Sequence, residues 1–293
     1  ADSTTVNKAM YASFTQRGSS VRINLTADSN TKSITYYANG TGDEQSDYTV
    51  KYAGTSIVDY TAYFYDVSSK YTRAGLTTVG QRMSASLTSN NAVASSTTSD
   101  ANTKSKTYYK NGPGEEQSYY TMKFSGVTFI DETTYFYDVS GTPTMAGTAT
   151  VNQRMVASHT AKAFITNLTA TVNTKSITYY KNVVGSEQSD YTIRYAFDIN
   201  VGDVAEVDRT YYFYDTGARA STATVNKAMF ASITQKSTLD KASLTADSST
   251  KSMTYYKNGA GDEQSDVTIK YAAGSPADYT YYFYGDSVTS ARA

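Results

Sequence analysis

Thr31-Lys32-Ser33-Ile34-Thr35-Tyr36-Tyr37 is the stretch of sequence that decides the fold. It returns at Thr103, Thr174 and Thr250, and only the residue in its fourth position changes. The stretch is rich in β-branched and aromatic residues, which is typical of a β-strand. A sequence that repeats along the chain is the mark of a repeat architecture, so the protein is predicted to be an array of related units.

Further motifs recur in the same order and set the limits of these units. Glu-Gln-Ser begins at residues 44, 116, 187 and 263, and Tyr-Phe-Tyr begins at residues 63, 135, 212 and 282. We therefore predict four repeats, 1–75, 76–147, 148–221 and 222–293, with a longer loop near 199–207 in the third. The last residues followed by the first complete one more period, as expected for a closed ring or for an open array that continues into a next copy.

Each repeat is predicted to contain about five strands. In the first repeat three are clear, Ser33 to Tyr37, Tyr48 to Tyr52 and Tyr60 to Tyr65, and two weaker ones precede them, Met10 to Thr15 and Val21 to Thr26. The third clear strand is aromatic on both faces and is expected to be covered on both sides. No stretch keeps a helical period. The fold class is predicted to be all-β, an open superhelical or solenoid-like array, with a closed four-bladed propeller or a string of small sandwiches as alternatives.

Composition excludes several classes of function. The 293 residues include no Cys and one His, which excludes disulfides, zinc–thiolate sites and multi-histidine metal sites. Because 26 basic residues nearly balance 27 acidic ones, a nucleic-acid partner is not predicted. No run of 18 apolar residues exists, so no membrane span is predicted. The 29 tyrosines supply most of the aromatic area, and the cores are expected to be thin and built on tyrosine.

An acidic turn in each repeat is the best candidate for a ligand site. Clustered carboxylates on a loop suit Ca²⁺, which takes six to eight oxygen ligands. The candidate ligands are Asp43, Glu44, Asp47, Asp262, Glu263 and Asp266. The alternative, which we favour, is a structural turn in which each Glu pairs with a lysine of the neighbouring repeat. Those lysines are Lys32, Lys104, Lys175 and Lys251. No other cofactor is predicted.

The single histidine and the tyrosine rows are both interpreted as structural. His159 stands where the other repeats have Phe14, Leu87 and Ile233, so it is predicted to be a half-buried packing residue. Tyrosines recur at the same positions in the repeats. Two interpretations are possible, a ladder of identical side chains that meet across neighbouring repeats, or a surface that stacks on sugars. The repetition favours the ladder.

One motif resembles a known family. Tyr212-Phe213-Tyr214-Asp215-Thr216-Gly217-Ala218-Arg219 resembles the signature of YD (RHS-type) repeats, in which aromatic strands precede Asp, a turn Gly and an Arg. Tyr63 to Asp66 and Tyr135 to Gly141 resemble it more loosely. The whole chain is also similar to the Tyr-rich β-repeat tracts of very large bacterial surface proteins. The resemblance implies an extracellular β-rich shell or fibre. The processing residues of that family have no counterpart in this sequence, so none is assigned.

The recurrence of the same motifs in each repeat also bears on the function of the protein. Every acidic cluster is copied along the chain, whereas a catalytic pair is normally unique, so an enzyme is not predicted. Asn24, Asn39 and Asn167 fit the glycan acceptor pattern of exported proteins. We expect an extracellular or cell-surface structural protein that assembles head to tail, or continues as a longer chain, into a filament, sheath or surface layer. Its expected partners are itself and surface glycans. The alternative is a carbohydrate- or protein-binding adhesin module built as a closed propeller.

Overall fold

The all-β class is confirmed by a computed structural model, which describes residues 8–18, 21, 23–77, 80–149, 151–200, 202–236, 238–284 and 291–293. Within these residues the chain forms 21 strands and one short 3₁₀ turn, Ala74–Leu76. Nothing helical in this part of the chain has the length and apolarity needed to cross a membrane.

The strands recur at the same places in the predicted repeats. The first two repeats contain β1 (Ala12–Gln16), β2 (Thr31–Ala38), β3 (Gln45–Ala53), β4 (Ser56–Val67), β5 (Lys70–Arg73), β6 (Met83–Ser89), β7 (Thr103–Lys110), β8 (Gln117–Ser125), β9 (Thr128–Val139) and β10 (Thr142–Met145). The last two contain β11 (Met155–Ala161), β12 (Thr174–Lys181), β13 (Gln188–Asp198), β14 (Asp203–Tyr214), β15 (Ala218–Arg219), β16 (Met229–Gln235), β17 (Thr250–Lys257), β18 (Gln264–Ala272), β19 (Ser275–Tyr281), β20 (Phe283–Tyr284) and β21 (Ala291–Arg292).

The described residues fall into two compact units, one within Ala1–Thr133 and Ala146–Val151, the other within Thr134–Met145 and Asn152–Ala293. In the first unit β1 to β4 and β6 to β8 pair antiparallel in sequence order, and β5 pairs with the end of β4. In the second, β11 to β14 and β16 to β19 pair in the same way, and β15 pairs with the end of β14.

Within each unit, one sheet passes from repeat to repeat. β4 of the first repeat pairs with β6 of the second, from Tyr60–Ser89 to Tyr65–Met83. β14 and β16 form the same joint between the third and fourth repeats. Separate propeller blades or separate sandwiches would end their sheets at the repeat boundary. The open array is therefore the arrangement that fits, and the two alternatives, propeller and sandwiches, are wrong.

The number of strands per repeat is close to the prediction, but one strand differs. Residues 21 and 23–26 lie outside the strands. The Asn24 side chain accepts the N–H of Thr26 at 3.1 Å, a local bond that competes with a sheet ladder. The fifth strand is instead β5 and its equivalents, which follow the Tyr-Phe-Tyr motif. In the third repeat the extra residues lengthen the β13–β14 hairpin, because β13 runs to Asp198 and β14 begins at Asp203.

One face of each sheet is apolar and covered. A buried cluster in the second unit consists of Tyr211, Phe213, Ile233 and Met253. Leu244 and Ala246, from the irregular segment after β16, pack over this cluster. Val93 and Ala94, from the segment after β6, pack in the same way over Phe64 and Leu87. In both places the irregular segment of one repeat covers the long strand of the repeat before it.

The opposite face carries hydroxyl groups that are hydrogen-bonded from strand to strand. Thr178 Oγ1 lies 2.8 Å from Thr192 Oγ1, which lies 3.1 Å from the Tyr212 hydroxyl. The same row recurs as Thr35, Thr49 and Tyr63, and as Thr254, Thr268 and Tyr282. Tyr63 is partly exposed and Tyr65 is 6% exposed, so this face of β4 is covered only in part.

Candidate functional site

The acidic turn connects β2 to β3 and recurs in every repeat. It begins at Asn39, whose φ of 77° is a conformation that asparagine tolerates better than most residues. Asn39 Nδ2 donates to Gln45 Oε1 at 2.9 Å. The same bond joins Asn111 to Gln117, Asn182 to Gln188 and Asn258 to Gln264. The glutamine of the Glu-Gln-Ser motif therefore fixes the turn.

The glutamate of the turn binds the backbone of the repeat's first strand. Glu44 Oε1 accepts the N–H of Met10 at 2.9 Å, and Oε2 accepts the N–H of Gly42 at 3.0 Å. The Met10 N–H is the main reason that the pKa of the Glu44 carboxyl lies below its ordinary value. Equivalent bonds run from Met83 to Glu116, from Met155 to Glu187 and from Met229 to Glu263.

The predicted pairing of these glutamates with lysines is not what the structure shows for two of the lysines. Lys104 Nζ lies 3.4 Å from Asp59, and Lys251 Nζ lies 2.6 Å from Asp208. Both lysines thus reach an aspartate on the long strand of the preceding repeat. Ion pairs therefore join neighbouring repeats, but their carboxylates belong to Asp59 and Asp208 on the long strands and not to the glutamates of the turn.

The aspartate of the turn pairs with an arginine that the sequence analysis missed. Arg219 contacts Asp190 through Nε at 2.9 Å, and the two side chains are 9% and 7% exposed. The guanidinium also lies 4.7 Å from the Tyr211 ring centroid. Asp47 pairs with Arg73, and Asp266 with Arg292. A signal was available in the sequence, because the second repeat replaces both partners together, with Tyr119 and Met145.

These contacts describe the predicted calcium ligands. The oxygens of Glu44, Glu263, Asp47 and Asp266 accept hydrogen bonds from backbone N–H groups or from guanidinium. Asp43 and Asp262 sit in the same turns, where their N–H groups donate to Gly40 and Gly259. Among the described residues, no three acidic or histidine side chains converge as a metal site. Calcium binding stays the less favoured of the two hypotheses, since Glu44, Glu263, Asp47 and Asp266 already accept hydrogen bonds from the protein.

His159 is buried more deeply than predicted, with 0% of its surface exposed. Its Nδ1 lies 3.0 Å from the Asn167 carbonyl oxygen, and its Nε2 lies 2.8 Å from Thr174 Oγ1. The carbonyl can only accept, so Nδ1 carries the proton and Nε2 accepts from the threonine. Burial lowers the pKa of His159, in keeping with a neutral ring. The histidine fastens the irregular segment to the sheet.

The three glycan acceptor candidates lie in two different settings. Asn24 and Asn167 are exposed, and the side-chain oxygen of each accepts the N–H of the threonine two residues later, at 3.1 and 2.9 Å. Asn39 is partly buried and donates from Nδ2, the atom that would carry a glycan, to Gln45. Glycosylation stays a prediction, and the geometry favours Asn24 and Asn167 over Asn39.

Two pairs of tyrosines stack within a repeat, whereas the predicted ladder joins identical side chains of neighbouring repeats. Tyr36 and Tyr48 have ring centroids 4.6 Å apart, and Tyr179 and Tyr191 have centroids 4.7 Å apart. These pairs join β2 to β3 and β12 to β13. The adjacent Tyr180 points to the other face, where its hydroxyl meets that of Ser158 at 3.1 Å. Paired tyrosines in the repeated motif therefore serve both faces of the sheet.

Comparison of the sequence with models of protein families finds no match, and comparison with curated proteins finds none either.

Proposed function

We propose that this chain is a structural repeat protein that assembles head to tail through its first and last strands. The observation that carries the proposal is the exposure of one repeated phenylalanine. Phe64, Phe136 and Phe213 are 0%, 1% and 0% exposed, whereas Phe283 is 63% exposed. All four occupy the same place in the Tyr-Phe-Tyr motif, so they differ only in what lies over them.

The buried examples show what covers this position, and no such cover lies over Phe283 among the described residues. Phe213 pairs with Ala231 of the next repeat's first strand and packs in the cluster that Leu244 covers. β19 pairs with β18, and all its residues are exposed. A long exposed strand edge with aromatic side chains is a template for a further strand. A strand of the β1 type, with the segment after it, is the partner of matching chemistry.

The first repeat carries such a partner surface. Val21 stands ten residues before its Thr-Lys-Ser motif and is 90% exposed. Val93 occupies the same position in the second repeat, where it packs over the buried cluster around Phe64. Leu25 and Leu244 are a second such pair, with Leu25 38% exposed. Val21 and Leu25 of the first repeat are therefore exposed covering residues, and β19 and β20 expose residues of the kind that such segments cover.

The internal joints give the register of the proposed contact. In the register of β4 and β6, β19 and β20 of one copy would pair with β1 of a second copy. The expected pairs are Thr280 with Thr15, Tyr281 with Phe14, Tyr282 with Ser13 and Phe283 with Ala12. Burying one phenylalanine side chain contributes about 1.5–3 kcal/mol, and the tyrosines of β19 add to it. Repetition of this contact would give a filament.

The experiment uses two capped variants and electron microscopy. Phe283→Glu blocks the tail, and Val21→Glu combined with Leu25→Glu blocks the head. Wild type is expected to form uniform filaments, and each capped variant is expected to run as a monomer of 31.9 kDa in size-exclusion chromatography with light scattering. A mixture of the two variants has one free head and one free tail, so it should give a dimer and nothing larger.

Val184→Glu is the matched control, because Val184 is 50% exposed and belongs to the β12–β13 turn, which is part of neither surface, and this variant should assemble like wild type. The proposal fails if wild type stays monomeric at high concentration, or if the capped variants assemble as wild type does. The surface location that we propose with this function is supported by the resemblance to bacterial surface repeat tracts.

A further inference from the structure

A cavity of about 290 Å³ in the first unit lies where the β4–β5 hairpin meets β7 and β8. Five tyrosines line it, Tyr71, Tyr108, Tyr109, Tyr119 and Tyr120, together with Ser69 and Ser84. Three cationic side chains, Lys70, Arg82 and Lys110, surround them with a single carboxylate, Asp66. The lining therefore combines flat aromatic surface, hydroxyl groups and net positive charge.

The aromatic lining follows from two substitutions in the second repeat. The first is Ser84, which stands where other repeats have Tyr11 and Phe230. In the fourth repeat Phe230 packs its edge on the tyrosine of the neighbouring strand, with centroids 6.0 Å apart. In the second repeat Tyr71 reaches over from the preceding hairpin and makes this edge contact with Tyr108, also at 6.0 Å. The small Ser84 leaves the space beside the rings open.

The second substitution is Tyr119, which stands where other repeats have the aspartate of the Asp–Arg pair. Its ring lies 5.1 Å from that of Tyr120. Lys110 Nζ lies 5.3 Å from the Tyr119 ring centroid, so the cation is held above an aromatic face at the cavity wall. The arginine of that pair is replaced as well, by Met145, so the net positive charge of the cavity comes from Lys70, Arg82 and Lys110, which outnumber the single carboxylate Asp66.

The charges and protons of the cavity are well defined at neutral pH. Asp66 accepts a hydrogen bond from Arg82 at 2.7 Å, and this contact is the main cause that lowers the pKa of Asp66. Burial raises the pKa of Tyr120 to about 12 and raises the pKa of Tyr108. The two phenols therefore keep their protons, while Lys70 and Lys110 supply positive charge beside them.

We propose that this cavity binds a uronate unit of an acidic polysaccharide. A pyranose ring presents a face of C–H groups that packs on tyrosine, and its hydroxyls suit Ser69 and Ser84. The carboxylate of a uronate would pair with Lys110 and Lys70, since charge-assisted bonds are the strong ones. The volume is at the lower limit of small-molecule sites, which fits one sugar ring. The proposal is independent of head-to-tail assembly, because none of the lining residues belongs to β1, β19 or β20.

The test is calorimetric titration of wild type with tetragalacturonate, with a neutral glucose tetrasaccharide and inorganic phosphate as comparison ligands. We expect saturable binding of the uronate at low salt, weakened several-fold by 0.5 M NaCl because the contact includes an ion pair. Lys110→Gln should weaken binding at least tenfold. Ser84→Phe, which installs the ring found at Phe230, should abolish it by filling the cavity.

Lys257→Gln is the matched control, because Lys257 occupies the position of Lys110 in the fourth repeat, and this variant should bind like wild type. Circular dichroism checks that each variant keeps its strands. Absence of uronate binding, equal binding by Ser84→Phe, or equal binding of phosphate or of the neutral tetrasaccharide would each overturn the proposal.

Discussion

The same strands form both faces of the sheet, but the side chains of the two faces are stabilised in different ways. In β14 Phe213 points to the apolar face and is fully buried in the cluster that Leu244 of the next repeat covers, whereas Tyr212 points to the other face and bonds Thr192. The apolar face needs a cover from outside the strand, because its side chains can only be shielded by other apolar groups. The hydroxyl face satisfies itself through bonds between neighbouring strands. Stability is therefore expected to depend on the covered face.

The largest effect is expected for Phe213→Ala. This variant opens a cavity in the covered face and should lower the free energy of unfolding by about 3–5 kcal/mol. Phe283→Ala is the matched control, because Phe283 has the same place in its repeat but is 63% exposed. In a monomeric background it should cost under about 1 kcal/mol. Urea unfolding followed by circular dichroism measures both, and equal losses would contradict the difference between covered and open positions.

The next effect concerns the buried ion pair between Asp190 of the turn and Arg219 of β15. Asp190→Ala removes the buried partner of Arg219 and leaves it only the exposed carboxylate of Asp240, so the change should cost about 3 kcal/mol. Asp266→Ala removes the same partner from Arg292, which is 45% exposed, so the loss should stay within about 1 kcal/mol. Thermal unfolding of the two variants measures the contrast. A loss at Asp266 as large as that at Asp190 would show that burial of the pair does not matter.

A smaller effect is expected from His159 as the pH falls. Burial lowers the pKa of His159 in the folded chain below its ordinary 6.5, so the unfolded chain takes up the proton first. The stability that the neutral ring contributes is therefore present above pH 6.5 and is lost progressively below it. His159→Leu, which copies Leu87, should flatten the decline between pH 7.5 and 5.5. Urea midpoints at both pH values check this, and equal declines in variant and wild type would contradict it.

The smallest effect is expected on the hydroxyl face. Thr192→Val removes the hydroxyl that lies between Thr178 and Tyr212, but water can replace it on this open face, so the loss should be within about 1 kcal/mol. Replacing Thr178 and Thr192 together by valine should be nearly neutral, because both partners of one bond are removed. Urea midpoints give the comparison. Losses that approach that of Phe213→Ala would show that the hydroxyl rows hold the sheet together.

Strand positions could be predicted because they depend on local pattern. Thr31 to Tyr37 and its copies read as strands from β-branched and aromatic residues, and all four lie in strands. Residues 21 and 23–26 have a similar composition but lie outside the strands, and the equivalent segment of the second repeat covers the long strand before it with Val93. β5 was missed because its four residues follow a turn and carry no clear alternation.

The contacts of the candidate site were less accessible to sequence reasoning. Glu44 binds the N–H of Met10, 34 residues away, and Arg219 binds Asp190, 29 residues away. Residues so far apart in the chain come into contact only when their strands pair in the right register. The charge pattern by itself does not contain that register, and it suggested a lysine partner instead. The joint replacement of aspartate and arginine by Tyr119 and Met145 is the one sequence signal that pointed to the true pair.

The sequence by itself determined that the protein is a tandem all-β array, because alternation and repetition are properties of residues close in the chain. The tertiary structure decided which face of each strand is covered, which partner each charge takes and where a cavity opens. These depend on segments from the next repeat, such as the one that places Leu244 over Phe213. The physical reason is that burial is a relation between distant segments, whereas strand propensity belongs to each segment alone.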